Sequence, residues 1–127
     1  MASTSTSVAV AINTSTSATI KRREIVTAMP DSARPICSIV RPATLEAGTA
    51  RLIWYGSNDN STWYPLNDNT GNVRVTVLPS AAAVAANELP SDLFLRWDYY
   101  RFVVADTTNA AVTQTAARTF TIMAASI

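Results

Sequence analysis

The sequence predicts an all-β protein, an antiparallel β-sandwich or jelly roll of about seven to nine strands that carries a flexible or extended N-terminal arm. Three observations predict it. The apolar fraction, 48% of 127 residues, leans on Ala and Val beside abundant Ser, Thr and Asn, a composition that suits strands and turns better than long amphipathic helices. Clusters of turn formers recur about every ten residues. The stretch Arg51 to Gly71, RLIWYGSNDNSTWYPLNDNTG, places two β-type segments, Leu52 to Tyr55 and Thr62 to Leu66, on either side of the polar run Gly56 to Ser61. That arrangement reads as a hairpin.

In chain order, residues 1–17, MASTSTSVAVAINTSTS, are uncharged and of low complexity, and their only pattern is the alternation of Val8, Val10 and Ile12. A disordered tail competes here with an arm that orders as an added strand on a neighbouring subunit. Residues 18–127 form the single sandwich domain. From Ala18 to Met29 the β-branched content favours a strand bulged at the charged run Lys21, Arg22, Arg23 and Glu24, with a short helix as the weaker alternative. Pro30 to Pro35 is a turn, Ile36 to Val40 a strand ended by Pro42, and Gly48 the position of positive φ in the next turn. The opening hairpin follows, with Trp54 and Trp63 as core anchors, and then the polar turn Asn67 to Asn72.

Val73, Val75 and Val77 alternate with Arg74 and Thr76, the pattern of a half-buried strand with the valines inward. Ser80 to Leu89, SAAAVAANEL, has the alanine content of a helix of two or three turns, although an all-β setting can override that propensity. After the Pro90 to Asp92 turn, Leu93 to Trp97 is a short apolar segment. Tyr99 to Ala105 is a core strand with Tyr100, Phe102 and Val104 on one face, and Ala117 to Met123 closes the domain with Phe120 and Ile122 on one face.

Composition excludes several chemistries. The chain has no His and one Cys, which removes Ser-His-Asp and Cys-His catalysis, Cys/His zinc sites and any internal disulfide. Cys37 lies in the apolar run Ile36 to Val40 and reads as a buried structural thiol. No enzyme activity, cofactor or metal is expected; the paired acids of the loops read as turn formers, and the Asn67 to Gly71 run lacks the Glu that would complete an EF-hand. The formal charge is +1, with six basic and three acidic groups up to Arg51 and four basic and six acidic groups after it. Such a balance exerts little pull on nucleic acid. No run reaches the length of a membrane span, and the N-terminus lacks the positive region of a secretory signal, so synthesis and use or assembly in a cytoplasm are expected.

The sequence GSNDNSTWYPL, followed by Gly71, the alternating Val strand, LPSDLF, YYRFVV and a closing Arg-Thr-Phe-Thr-Ile strand, resembles small β-sandwich virion proteins of tailed bacteriophages over about Ile53 to Ile122. The SND-x-x-x-W-x-x-L core within it also resembles discoidin-like carbohydrate modules. The first resemblance implies a capsid decoration, or cement, protein or a related tail or fibre component, made in the host cytoplasm. Such a protein is non-enzymatic and often trimeric, sits on the outer capsid surface and clamps neighbouring major-capsid subunits together. The expected contacts are then Val8, Val10 and Ile12 of the arm and Lys21, Arg22 and Arg23 beside it. The second resemblance implies a glycan site, for which Tyr55, Asn58, Asp59 and Tyr64 are the candidate contacts through stacking and hydrogen bonding, with Asn60, Asn67, Asp68 and Asn69 as further hydroxyl partners.

Overall fold

The computed structural model describes residues 3–26, 35–79 and 84–126. Its elements in chain order are β1 (Ser3–Val10), β2 (Ile20–Lys21), α1 (Arg22–Val26), β3 (Pro35–Arg41), β4 (Arg51–Ser57), β5 (Tyr64–Pro65), β6 (Val75–Val77), β7 (Ala85–Leu89), β8 (Tyr99–Ala105) and β9 (Arg118–Ser126). They build two antiparallel sheets, one ordered β1-β9-β3-β7 and the other β2-β8-β4-β5, with β6 continuing the outer side of β4 beyond β5. The fold is the all-β sandwich that the sequence predicts. The one helix described is five residues long, and none of the described helices is long and apolar enough to cross a membrane.

Alternation explains the core. Val8 and Val10 of β1, Cys37 and Ile39 of β3 and Phe120, Ile122 and Ala124 of β9 turn inward from the first sheet. Leu52 and Trp54 of β4 and Tyr100, Phe102 and Val104 of β8 meet them from the second. An edge-to-face series of rings, Phe120 to Phe102 to Trp54 to Phe94 to Tyr100, crosses from one sheet to the other with centroids 4.9–5.6 Å apart. Cys37 is buried and unpaired, and burial pushes its thiol up to about 11, so it packs as a small apolar group.

Four sequence expectations change. The arm is built into the domain: β1 pairs with β9 from Ser3↔Ala125 to Val10↔Arg118, and the next residues cross to the other sheet. There Ser17 exchanges backbone and side-chain hydrogen bonds with Phe102, and Val104 N–H donates to the Ser15 carbonyl. The segment looks like a tail because the alternate face of the strand, Ser5, Ser7 and Ala9, carries only small side chains. Second, the charged run continues as α1 and not as a bulged strand; Arg22 N–H donates to the Asp98 carbonyl and ends the β2–β8 ladder. Third, Ala85–Leu89 of the alanine-rich segment is a strand, since pairing with β3 buries Leu89 and leaves Ala86 and Glu88 exposed.

Fourth, β6 has the opposite face inward. Antiparallel partners share a face, and the register sets Thr76 against Leu52, so Thr76 is buried while Val77 is 64% exposed. Two further segments differ in detail. Residues Leu93 to Trp97 form turns, with Leu93 and Phe94 driven into the core, and Trp63 is only half-buried, under the Arg101 guanidinium at 4.3 Å, instead of anchoring the core. The turn expected over residues 30–34 lies outside the described residues, as do residues 80–83. Gly48 does hold the left-handed conformation, at φ 88°.

The loops are held by carboxylates. Asp68 accepts from Thr70 N–H, Thr70 Oγ1 and Asn72 N–H, and Asp106 accepts from Thr108 N–H, Thr108 Oγ1 and Ala110 N–H, the same motif built twice. Asp59 accepts from the backbone N–H of Thr62 and Ser61 and from the Ser57 hydroxyl, which holds its carboxyl at about 2 against an ordinary 3.8. Bonds from Thr115 lower Glu46 likewise, and bonds from their own loops lower Asp68 and Asp106. A carboxyl lowered in the folded state adds stability above its unfolded value and loses it as pH falls through the folded value. The thermal midpoint is therefore expected to fall as pH drops from about 4 towards about 2. A midpoint unchanged over that interval would contradict the capping role of these four side chains.

Candidate functional site

Three surface features bear on function. The first is a cleft of about 470 Å³ at one end of the second sheet. One wall is the excursion between β5 and β6, in which Leu66 pairs with Arg74, Asn67 with Val73 and Asp68 with Asn72, so that a small hairpin projects from the β4 edge. The other wall is the turn segment Pro90 to Trp97. Its Leu93 and Phe94 are buried, and the Tyr100 hydroxyl accepts from Arg96 N–H (3.2 Å) and Trp97 N–H (2.9 Å), fixing the turn to the core. The Arg74–Asp92 ion pair, at 2.8 Å, ties the two walls together.

Trp97 forms part of this cleft because β4 carries a glycine there. A Cβ on Gly56 would lie 2.7–3.0 Å from Cγ, Cδ1 and Cδ2 of Trp97, so the indole rests directly on the strand backbone. Tyr64 stands beside it, with ring centroids 5.5 Å apart and planes inclined by 32°. Leu66 and Leu93 supply apolar surface, and Asn58, Asn67, Asn69 and Arg96 supply polar groups.

The second feature is a hollow of about 300 Å³ lined by Lys21, Arg22, Arg23, Asp98 and Tyr99. Arg22 is partly committed to structure, donating from Nη1 to the Leu95 carbonyl at 3.4 Å. Among the described residues, ion pairs form only at Arg74–Asp92 and Arg118–Glu46, so Lys21, Arg22 and Arg23 form no ion pair with another described residue.

The third feature is the outer face of the four-stranded sheet. Register places Ser5, Ser7 and Ala9 of β1 beside Met123, Thr121 and Thr119 of β9, with Ile36, Ser38 and Val40 of β3 on the far side and Ala86 and Glu88 of β7 at the edge. Glu88 is the one charge among them, and Ile36 and Met123 are 55% and 43% exposed. Solvent-facing sheet surfaces ordinarily carry mixed charges that oppose association.

The residues singled out from sequence separate onto these features. Val8 and Val10 are core residues, fully or almost fully buried, and are corrected as partner contacts; Ile12 is 56% exposed in the turn after β1. Lys21, Arg22 and Arg23 do come together in the hollow. Of the four glycan candidates, Asn58 lines the cleft and Tyr64 flanks Trp97. Tyr55 lies on the other face of β4, near Arg101, and Asp59 is committed to its own loop. Asn67 and Asn69, also candidate hydroxyl partners, line the cleft as well, and Trp97 and Arg96 complete it without having been singled out as contacts. Gly56 interrupting an apolar strand was the available signal, since a strand glycine marks the close approach of another group. Comparison with known protein families, with characterised proteins and with solved structures returns no match.

Proposed function

We propose that the chain is a structural virion protein, a capsid decoration protein that binds the outer capsid of a tailed bacteriophage and stabilises contacts between major-capsid subunits, as a homotrimer and without enzymatic activity. The observation that carries this reading is the outer face of the four-stranded sheet. Interface cores are depleted of charge, and a face whose described residues are Ser, Thr, Ala, Ile, Val and Met with one peripheral carboxylate has that character.

The size of the face favours attachment through more than one copy. Four strands at their usual spacing and length present roughly 20 by 25 Å, about 500 Å², which is below the roughly 800 Å² that a stable interface buries on each partner. One copy is then a weak binder, and linking copies, three in the proposed trimer, supplies the avidity that a clamp across capsomers needs. In this reading attachment is through the sheet face and not through the arm, whose Val8 and Val10 lie in the core.

The test is co-sedimentation of the purified chain with shells of the major capsid protein it accompanies, together with its mass in solution. Wild type is expected to bind as a trimer, and Met123→Glu combined with Ile36→Lys to remove binding while the thermal midpoint holds. Undiminished binding by that double variant, or no binding by wild type, would overturn the reading.

A further inference from the structure

We infer that the cleft between the β5–β6 excursion and the Pro90 to Trp97 turn is a saccharide-binding site, separate from the sheet face assigned to the capsid. Its size falls within the range of small-ligand clefts. Its shape is fixed in advance by the Arg74–Asp92 pair across its walls and by the bonds from Arg96 and Trp97 N–H to Tyr100, so binding costs little ordering.

The chemistry of the lining selects the ligand class. Asn58, Asn67 and Asn69 line the cleft, and none of their side-chain amides is hydrogen-bonded to another described residue. Of the other described asparagines, Asn60, Asn72, Asn87 and Asn109 are each tied to the chain by a side-chain bond, and Asn13, in the turn after β1, is not. An amide offers a donor and an acceptor together, the pattern that vicinal hydroxyls match. Trp97, supported by Gly56 and flanked by Tyr64, supplies the aromatic surface on which the C–H face of a sugar ring packs.

Charge excludes the competitors. Two cations, Arg74 and Arg96, balance two anions, Asp68 and Asp92, so a phosphate-bearing ligand meets carboxylates, and a purely apolar ligand strands three amides without partners. A neutral polyhydroxylated ring with one apolar face satisfies both constraints.

The experiment screens the intact protein against an array of neutral oligosaccharides and follows hits by calorimetry. At least one neutral oligosaccharide is expected to bind with Kd in the range of about 10 μM to 10 mM. Trp97→Ala and the exposed pair Asn67→Ala/Asn69→Ala are each expected to weaken it at least about tenfold, roughly 1.4 kcal/mol. Gly56→Ala, which drives the indole off the strand, is expected to do the same. Met123→Glu on the sheet face is expected to leave sugar affinity unchanged. The asparagine pair lies on the surface, so its result stands even if Trp97→Ala or Gly56→Ala fails to fold. Absence of binding to every neutral oligosaccharide, or binding that the asparagine pair does not weaken, would overturn the inference.

Discussion

Removing residues 1–10 is expected to abolish cooperative folding, leaving a chain that shows no thermal transition and aggregates. The segment has the composition of a dispensable tail, but Ser3–Val10 pairs along its full length with β9 and contributes Val8 and Val10 to the core. Burying each valine contributes about 1.5–3 kcal/mol, and the deletion also uncovers the Phe120 and Ile122 side of the core and leaves the β9 edge unpaired. Against a net stability of about 5–15 kcal/mol for a domain of this size, the total is a large part of what holds the fold. Circular dichroism melts of the truncated chain check this, and a truncated protein melting within a few degrees of wild type would show that β1 is not integral. The paired substitution Val8→Ser/Val10→Ser, which keeps the strand length, should lower the midpoint strongly while leaving a folded fraction. The functional consequence is direct: loss of capsid binding after truncation would report unfolding, so the sheet-face variants are the informative ones.

What was legible in the sequence followed from burial on one face. Phe102 and Phe120 lie in strands whose alternation is strict and whose inward residues are large, so period alone located β8 and β9. Cys37, Trp54 and the Gly48 turn were readable for similar local reasons. Alternation fails where both faces carry small or β-branched residues. In β1 the outward Ser5, Ser7 and Ala9 resemble linker composition, and only long-range pairing with β9 reveals a strand. In β6 the alternation is real, but which side is inward depends on register against β4, a relation between segments more than twenty residues apart. In β7 the pairing with β3 outweighs alanine's helix propensity, a tertiary term absent from any local window.

The candidate sites divide in the same way. The hollow of Lys21, Arg22 and Arg23 was visible because its residues are adjacent in sequence. The cleft was half visible: Asn58 and Tyr64 belong to the hairpin that dominates the sequence, whereas Arg96 and Trp97 arrive from a turn whose position is set by the Tyr100 hydroxyl. The charge-poor sheet face was invisible, since its residues come from four strands and no single strand contains more than a few of them.

Trp54→Ala is expected to destabilise the protein by about 3–5 kcal/mol. Trp54 is 1% exposed, it packs edge-on against both Phe94 and Phe102, and its Nε1–H donates to Thr76 Oγ1 at 2.9 Å. The ring is therefore the point at which the inward face of β6 joins the core. Thr76→Val removes the acceptor, leaves a buried indole N–H unpaired and should cost about 1–3 kcal/mol in spite of the added apolar surface. Trp54→Phe removes the donor and strands the threonine hydroxyl. Because each single change orphans the other group, the double variant Trp54→Phe/Thr76→Val should be less destabilised than the sum of the two, by about 0.5–3 kcal/mol. Urea unfolding of the four proteins measures the coupling. If the effects simply add, the hydrogen bond does not specify the face of β6, and the burial of Thr76 would have to follow from the β4 register alone.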